Sequence, residues 1–330
     1  MQGRAIVMRG YGGPHVLGLE EVELPELGAD DVRIRALASA VNHSDLEIRA
    51  GNWPIRKPEP FPYVPGLETV GEVVAVGRKV DSVRPGARVT TMMQGLGGVR
   101  ARRPGGYAEY VTVAAEAIAT VPDALDPVAV AALGLASVTA FEGLARLGPL
   151  AGTRVLVTGA SGGVGSACVG VARAQRAEVI AVVSRPERAA YVRSLGAAEV
   201  VVTSAGDLDE AIPSRSVDRV LDTVGGDLFR HCVRALRAGG GLCLVGAMAG
   251  SEVSLDAWSL PLPIILTGYA SEALDGPSLQ TAVDAICGFL ARGELAAPAQ
   301  RAIPLAEAAA AHELLERRGV EGRIVLVPGQ

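Results

Sequence analysis

The rhythm of apolar and polar positions changes part-way along the chain. Over the first ~120 residues, short apolar or alternating runs stand between Gly/Pro turns. They predict strands at Arg4–Arg9, Val32–Val41, Gly71–Val76, Arg88–Thr91 and Tyr107–Val113. From about Leu150, near-continuous apolar runs alternate with helical patterns at βαβ spacing. The runs are Arg154–Thr158, Glu178–Ser184, Glu199–Val202, Val217–Asp222, Gly241–Gly246 and Ile264–Gly268. Six such strands with helices between them predict a parallel, doubly wound sheet covered on both faces. After Ser271 the pattern turns polar and helical again, and Arg323–Val327 (RIVLV) reads as one more strand. The class is therefore α/β. The expected division is a β-rich domain from residues 1–125 and 270–330, with the doubly wound domain, residues 126–269, inserted between them. Two sequential domains would leave the last strand without a sheet.

The apolar run VAVAALGLASVTAF, Val128–Phe141, is shorter than the ~18–20 residues of a membrane span and contains Ser and Thr. It reads as a buried helix or strand. The N-terminal MQGRAIVMRGYGG lacks the apolar stretch of a signal peptide. The 330 residues suit two domains. A formal net charge of −5 and 4% aromatic residues disfavour nucleic acid, which needs a basic face or aromatic stacking platforms. The four cysteines, Cys168, Cys232, Cys243 and Cys287, are far apart and form no CxxC, so neither a zinc cluster nor a disulfide framework is indicated. A reducing cytoplasm is expected.

The clearest chemistry lies in RVLVTGASGGVGSACVGVARA, Arg154–Ala174. A strand enters a turn of small residues, and a helix starting near Val164 leaves it. Ala160, Gly162 and Gly165 match the A-x-G-x-x-G variant of the dinucleotide fingerprint, with Ser161, Gly163 and Val164 between them. Small residues let the chain turn tightly and approach a pyrophosphate, to which the helix start offers unpaired N–H groups and a positive dipole end. The next strand should end beside the adenosine ribose. An Asp or Glu there would repel a 2′-phosphate, but the sequence reads Ser184-Arg185-Pro186-Glu187-Arg188. Ser184, Arg185 and Arg188 favour NADPH over NADH. Two arginines exposed at a helix start are the plainer alternative. Val224 and the turn Gly246, Ala247 and Met248 sit at strand C-ends, from which open parallel sheets contact their ligands.

Further motifs follow in order: VNHSDLEIRAG (Val41–Gly51), PGLETVGEVVAVG (Pro65–Gly77), PGARV (Pro85–Val89), GGYAEYV (Gly105–Val111), DTVGG (Asp222–Gly226) and LRAGGGLCLVG (Leu236–Gly246). With the glycine turn, they make the chain resemble the medium-chain dehydrogenase/reductase superfamily, and most closely its zinc-free quinone oxidoreductase and enoyl reductase branch. The resemblance covers nearly the whole chain. It implies a GroES-like β-rich catalytic domain, a Rossmann domain, an active cleft between them, and frequent homodimers joined through Rossmann edge strands. The apolar stretch Pro261–Gly268 is the expected dimer edge.

Zinc-dependent members carry a Cys where this chain has Asn42 and a His–Glu pair where it has Leu67-Glu68. The four-cysteine zinc lobe is replaced by MMQGLGGVRARRP, Met92–Pro104. No metal is therefore expected. His43, Asp45 and Glu68 remain as a weak donor set. Without a metal, hydride must pass to a carbon whose neighbouring oxygen spreads its charge by conjugation, as in a quinone or enone. By resemblance, Asn42 stands beside the nicotinamide ribose, Thr139 faces the cofactor, Arg323 is a basic position near it, and Asp45 organises its loop. Thr139 read instead as a packing residue, and Arg323 as a solvated strand-edge charge, are equally compatible. Glu47 and Trp53 fall where related enzymes carry tyrosines. Trp53 is a candidate cleft wall. His43, Tyr63, Tyr269 and water are the candidate proton sources. Two rival readings stand beside the reductase: a zinc-dependent alcohol dehydrogenase, and a non-catalytic NADPH-binding protein.

Overall fold

A computed structural model describes the chain except residues 94, 95, 97, 101, 204–207, 260–262, 318, 319 and 330. Parts of the expected zinc-lobe replacement and of the expected dimer edge, including Pro261 and Leu262, thus lie outside the described residues. In chain order the elements are β1 (Gln2–Val7), β2 (Gly18–Glu23), β3 (Asp31–Ala40), α1 (His43–Ala50), β4 (Glu68–Val76), β5 (Arg88–Met92), β6 (Tyr110–Ala114), β7 (Ile118–Thr120) and α2 (Pro127–Ala145). Then come β8 (Arg154–Val157), α3 (Gly163–Ala174), β9 (Glu178–Val183), α4 (Ala189–Ser194), β10 (Glu199–Val202), α5 (Leu208–Ala211), β11 (Val217–Asp222), α6 (Leu228–Ala235), β12 (Leu236–Leu244) and β13 (Ile265–Gly268). The last are α7 (Gly276–Ala291), β14 (Gln300–Pro304), α8 (Ala308–Glu316) and β15 (Arg323–Val327). The chain forms two compact units. One comprises residues 1–135, 274–287 and 297–330, the other residues 136–273 and 288–296.

The first unit is built on a sheet in the order β14-β15-β3-β4-β5-β7, with β6 paired to β3, and on the β1-β2 hairpin. Strand β3 shows why. Val32, Ile34, Ala36, Ala38 and Ala40 are buried, while Arg35 between them is exposed. That is the period-two pattern of a strand with one dry face. On the wet face Arg35 stands opposite Glu72 of β4 and donates to it at 2.7 Å. Val32, Ile34, Val73, Val89, Val111 and Val113 form the core beneath. The C-terminal strand β15 returns to pair antiparallel with β3, with Val325 opposite Ala40.

The second unit is the six-stranded sheet β10-β9-β8-β11-β12-β13, with every pair parallel. Val155, Leu156, Val157, Ile180, Val220 and Leu242 are fully or almost fully buried, as strands sandwiched between helices must be. The first strand of the unit, β8, lies inside the sheet between β9 and β11, so the chain winds outward in both directions from it. That is the switch point at which open α/β sheets bind ligands, at the strand C-ends. The run expected as a buried helix or strand is α2, whose apolar residues are mostly buried.

Candidate functional site

In the second unit, β8 runs into the glycine turn and α3 leaves it. Gly162 caps α3 in an extended conformation and offers no side chain to the helix start. The first-turn N–H groups therefore face outward, available to an anion. Gly165 is fixed by close approach. A Cβ there would lie 2.2 Å from the Gly159 carbonyl oxygen, which is backbone and has little freedom to move. The Ala160 N–H bonds the Val182 carbonyl at 3.0 Å and ties the turn to β9. Ser184 and Arg185 follow β9 and are exposed, and Arg188 is half-buried in the turn into α4.

A buried carboxylate organises the neighbouring strand ends. Asp222, at the end of β11, is fully buried. Its Oδ1 accepts from the Thr158 hydroxyl at 2.6 Å, the Val224 N–H at 2.9 Å and the Gly225 N–H at 3.2 Å. The Thr158 hydroxyl accepts from the Thr223 N–H at 3.0 Å, and the Thr223 hydroxyl donates to the Thr158 carbonyl at 2.9 Å. Val245 N–H bonds the Asp222 carbonyl and Ala249 N–H the Val224 carbonyl, both at 2.8 Å. These bonds bring Val224 together with the turn Gly246–Met248, half-buried to exposed at the sheet's C-terminal edge. Thr139 is buried on α2. Asp222, Thr158 and Thr223 were not among the residues expected to shape the site.

In the first unit, β15 pairing with β3 brings Arg323 to Asn42. Val41 N–H bonds the Ile324 carbonyl at 3.0 Å, and Arg323 Nη2 donates to Asn42 Oδ1 at 2.7 Å. Asn42 Nδ2 donates to Glu68 Oε1 at 2.8 Å, and Glu68 lies 3.8 Å from the Arg323 guanidinium. Asn42, Glu68 and Arg323 are 7%, 2% and 7% exposed. Arg323 is thus not a solvated edge charge. It is a buried cation matched to a buried carboxylate. Burial pushes the Glu68 carboxyl up, against the pull of Arg323, Asn42 and the Leu135 N–H. Glu68 Oε2 accepts that N–H at 2.7 Å. Leu135 follows Gly134, whose φ of 30° breaks the helical path of α2 and frees the N–H. A Cβ on Gly134 would stand 2.0 Å from Glu68 Oε2.

Asn42 is the N-cap of α1 and shares a capping box with Asp45, whose Oδ2 accepts the Asn42 N–H at 2.8 Å. Asp45 is buried and its carboxyl is pushed up to about 7, chiefly by desolvation. Behind it runs a directional chain. Arg49 Nη1 lies 3.4 Å from His312 Nδ1, and a guanidinium only donates, so Nδ1 accepts. Nε2 then carries the proton toward the Tyr107 oxygen at 3.3 Å, and the Tyr107 hydroxyl is near enough to Asp45 to influence its carboxyl. Burial beside Arg49 lowers the His312 imidazole to about 3, so it stays neutral.

The remaining candidates sit outside this cluster. His43 is exposed on α1, its Nε2 3.2 Å from Glu47 Oε1. Trp53 is half-buried after the helix. Tyr63 is buried, and desolvation aided by Asp45 pushes its phenol up, so it releases a proton less readily. Tyr269, in the second unit, lies beneath the Arg146 guanidinium at 4.4 Å.

Residues 28–123 match the alcohol dehydrogenase GroES-like domain, and residues 163–268 match the zinc-binding dehydrogenase family. The chain is 30% identical to a quinone oxidoreductase of Sus scrofa, over 96% of this chain and 95% of that one. It belongs to the medium-chain dehydrogenase/reductase superfamily, in the quinone oxidoreductase branch. This oxidoreductase is also 31% identical to an alcohol dehydrogenase of Geobacillus stearothermophilus, over 94% of this chain and 95% of that one. Among solved structures, a mycobacterial quinone oxidoreductase superposes with a TM-score of 0.86 at 30% identity, covering 99% of this chain and all of the other. The superfamily binds a nicotinamide dinucleotide, and the turn from Ala160 to Gly165 fits its pyrophosphate.

The zinc of the second family's name does not fit. Leu67 is a buried hydrocarbon, Asn42 and Glu68 already bond each other, and Glu68 is matched by Arg323. Among the described residues, no group of three His, Cys, Asp or Glu side chains is placed to hold a metal ion.

Proposed function

We propose that this oxidoreductase uses NADPH to reduce an electrophilic double bond, in a quinone or an α,β-unsaturated carbonyl compound, without a metal. The observation that carries the reading is the closed cluster of Asn42, Glu68 and Arg323. Its one cation and one carboxylate compensate each other. With its cation matched by its carboxylate, the cluster offers a developing alkoxide no free positive charge, which suits an acceptor that spreads its own charge. An enone or quinone does so by conjugation, whereas a saturated ketone needs metal or proton help.

When bound, NADPH supplies the hydride from its nicotinamide C4. The first turn of α3 would receive the pyrophosphate. Ser184, Arg185 and Arg188 would receive the 2′-phosphate, since guanidinium groups bond phosphate in pairs of N–H contacts. Backbone groups of Val224 and Gly246–Met248 would meet the nicotinamide half, and Asn42 a ribose hydroxyl. After hydride reaches the β-carbon of an enone, the enolate oxygen carries the charge until the α-carbon is protonated. With Tyr63 a poor acid, we favour delivery from solvent, directly or through His43. Buried free thiols at all four cysteines suit a reducing cytoplasm. Strand β13 closes one edge of the parallel sheet with Ile265 and Leu266 55% and 38% exposed, an edge suited to a homodimer.

The test is NADPH oxidation against a panel of quinones, enones, enoyl thioesters and saturated ketones. Turnover restricted to conjugated acceptors supports the reading. Turnover of saturated ketones or aldehydes alone contradicts it. Tight NADPH binding with no turnover on any acceptor would favour a non-catalytic binding protein.

A further inference from the structure

We propose that Glu68 and Arg323 are positioning residues that fix which way the Asn42 side-chain amide points. This rests on the reading of Asn42 as the residue meeting the nicotinamide ribose. Asn42 Oδ1 accepts from Arg323 at 2.7 Å, and Nδ2 donates to Glu68 at 2.8 Å. Turned over, the amide would set its NH2 against a guanidinium that only donates and its oxygen against a carboxylate that accepts. Both contacts would become repulsive in a dry environment, where unpaired polar groups are most costly. One orientation survives. The amide's donor and acceptor are thereby held at fixed places, where a sugar hydroxyl, which donates and accepts at once, would meet them.

Glu68 is itself held. Its other oxygen takes the Leu135 N–H at 2.7 Å, at the point where Gly134 breaks α2. Arg323 is held by β15, which is paired on both sides, to β14 and to β3. The amide is therefore set by groups that cannot readily follow it if it turns. Glu68 and Arg323 act on the ribose contact through Asn42 in this scheme.

The chain contains only two asparagines, Asn42 and Asn52. Labelling with ¹⁵N-asparagine therefore yields two side-chain amide signals. Asn52 donates to Glu47 at the surface and serves as the internal reference. In the protein without added cofactor, the Asn42 NH2 should exchange slowly with solvent. Arg323→Lys, which keeps the charge but loses the fork, should shift the Asn42 signal and speed its exchange while Asn52 stays put. An unmoved Asn42 signal overturns the proposal. Kinetics supply the second arm. Arg323→Lys and Glu68→Gln should each lower kcat/KM about tenfold, as loss of a buried charge-assisted bond does. In an Asn42→Ala background the same substitutions should change it less than about twofold, because residues acting through one side chain are not additive. Equal factors in both backgrounds overturn the proposal. If Glu68→Gln fails to fold, Arg323→Lys decides alone. If the unaltered protein binds no NADPH, the functional reading fails, and the labelled amide still decides how Asn42 is held.

Discussion

Asp45 and His312 should give this protein two opposing pH dependences that nearly cancel until one is removed. The two side chains flank Tyr107 in the chain that starts at Arg49 and ends at the α1 cap. Burial raises Asp45 from 3.8 to about 7. Between those values the native carboxyl holds a proton that the unfolded chain has lost, so its contribution is full at low pH and falls away as pH rises to about 7. His312 is lowered from 6.5 to about 3. Between those values the unfolded chain binds a proton that the native imidazole refuses, so stability rises with pH and is lost as pH falls below 6.5. Each group approaches a slope of ~1.4 kcal/mol per pH unit where its two forms differ fully. From about pH 4.5 to 6 the slopes have opposite sign. Asp45→Asn keeps a carbonyl to accept the Asn42 N–H, and His312→Gln keeps one acceptor and one donor. Relative to the unaltered protein, Asp45→Asn should gain stability as pH rises and His312→Gln as pH falls, each by ~2 kcal/mol across that window. Glu68, whose charge adds to the rise at Asp45, and Arg49, which helps lower His312, are present in all three proteins. The assay is urea unfolding at several pH values, followed by Trp53 in a Trp258→Phe background, since the chain has only two tryptophans. Difference curves that run parallel, or that slope the same way, would refute the reasoning.

Three further outcomes follow from the second unit. Gly165→Ala puts a methyl 2.2 Å from the Gly159 carbonyl oxygen, so the turn must open; NADPH affinity, followed by the cofactor's fluorescence, should fall at least about tenfold. Asp222→Ala strips one acceptor from a hydroxyl and two N–H groups and should cost ~3 kcal/mol, seen as a lower urea midpoint for this unit, while Asp222→Asn, which keeps Oδ1, should lose less than half of that. Replacing both Arg185 and Arg188 with Gln should raise KM for NADPH far more than KM for NADH; equal effects would show that neither meets a 2′-phosphate.

Much of the fold was legible because burial on both faces leaves a strong trace. All six parallel strands were predicted where they occur, β12 beginning earlier, at Leu236. Strands that bury little were not legible. Strand β2, GLEEVE, carries three glutamates and, among the described residues, pairs only with β1. Strand β7 is three residues long, and β14 ends in a proline at the sheet edge. The expected strand from Tyr107 begins instead at Tyr110, because Tyr107 is spent on a loop bond to Pro65 and on His312. The glycine turn was legible because its chemistry is local. The cluster in the first unit was legible only as single residues. Asn42 and Arg323 each stand out in the sequence, but they are 281 positions apart and meet because β15 closes on β3. From sequence, Glu68 reads only as a metal donor. Its real partners, an amide, a guanidinium and a freed helix N–H, come from three separate stretches of chain. The one local hint was Gly134, a glycine amid a helical apolar run.

The most direct test of the central claim is turnover after exhaustive chelation, with zinc measured on the same sample. Protein holding far less than one metal ion per chain should oxidise NADPH with a quinone or enone at its full rate, and added zinc should change nothing. Activity that disappears with the metal and returns with zinc would contradict it.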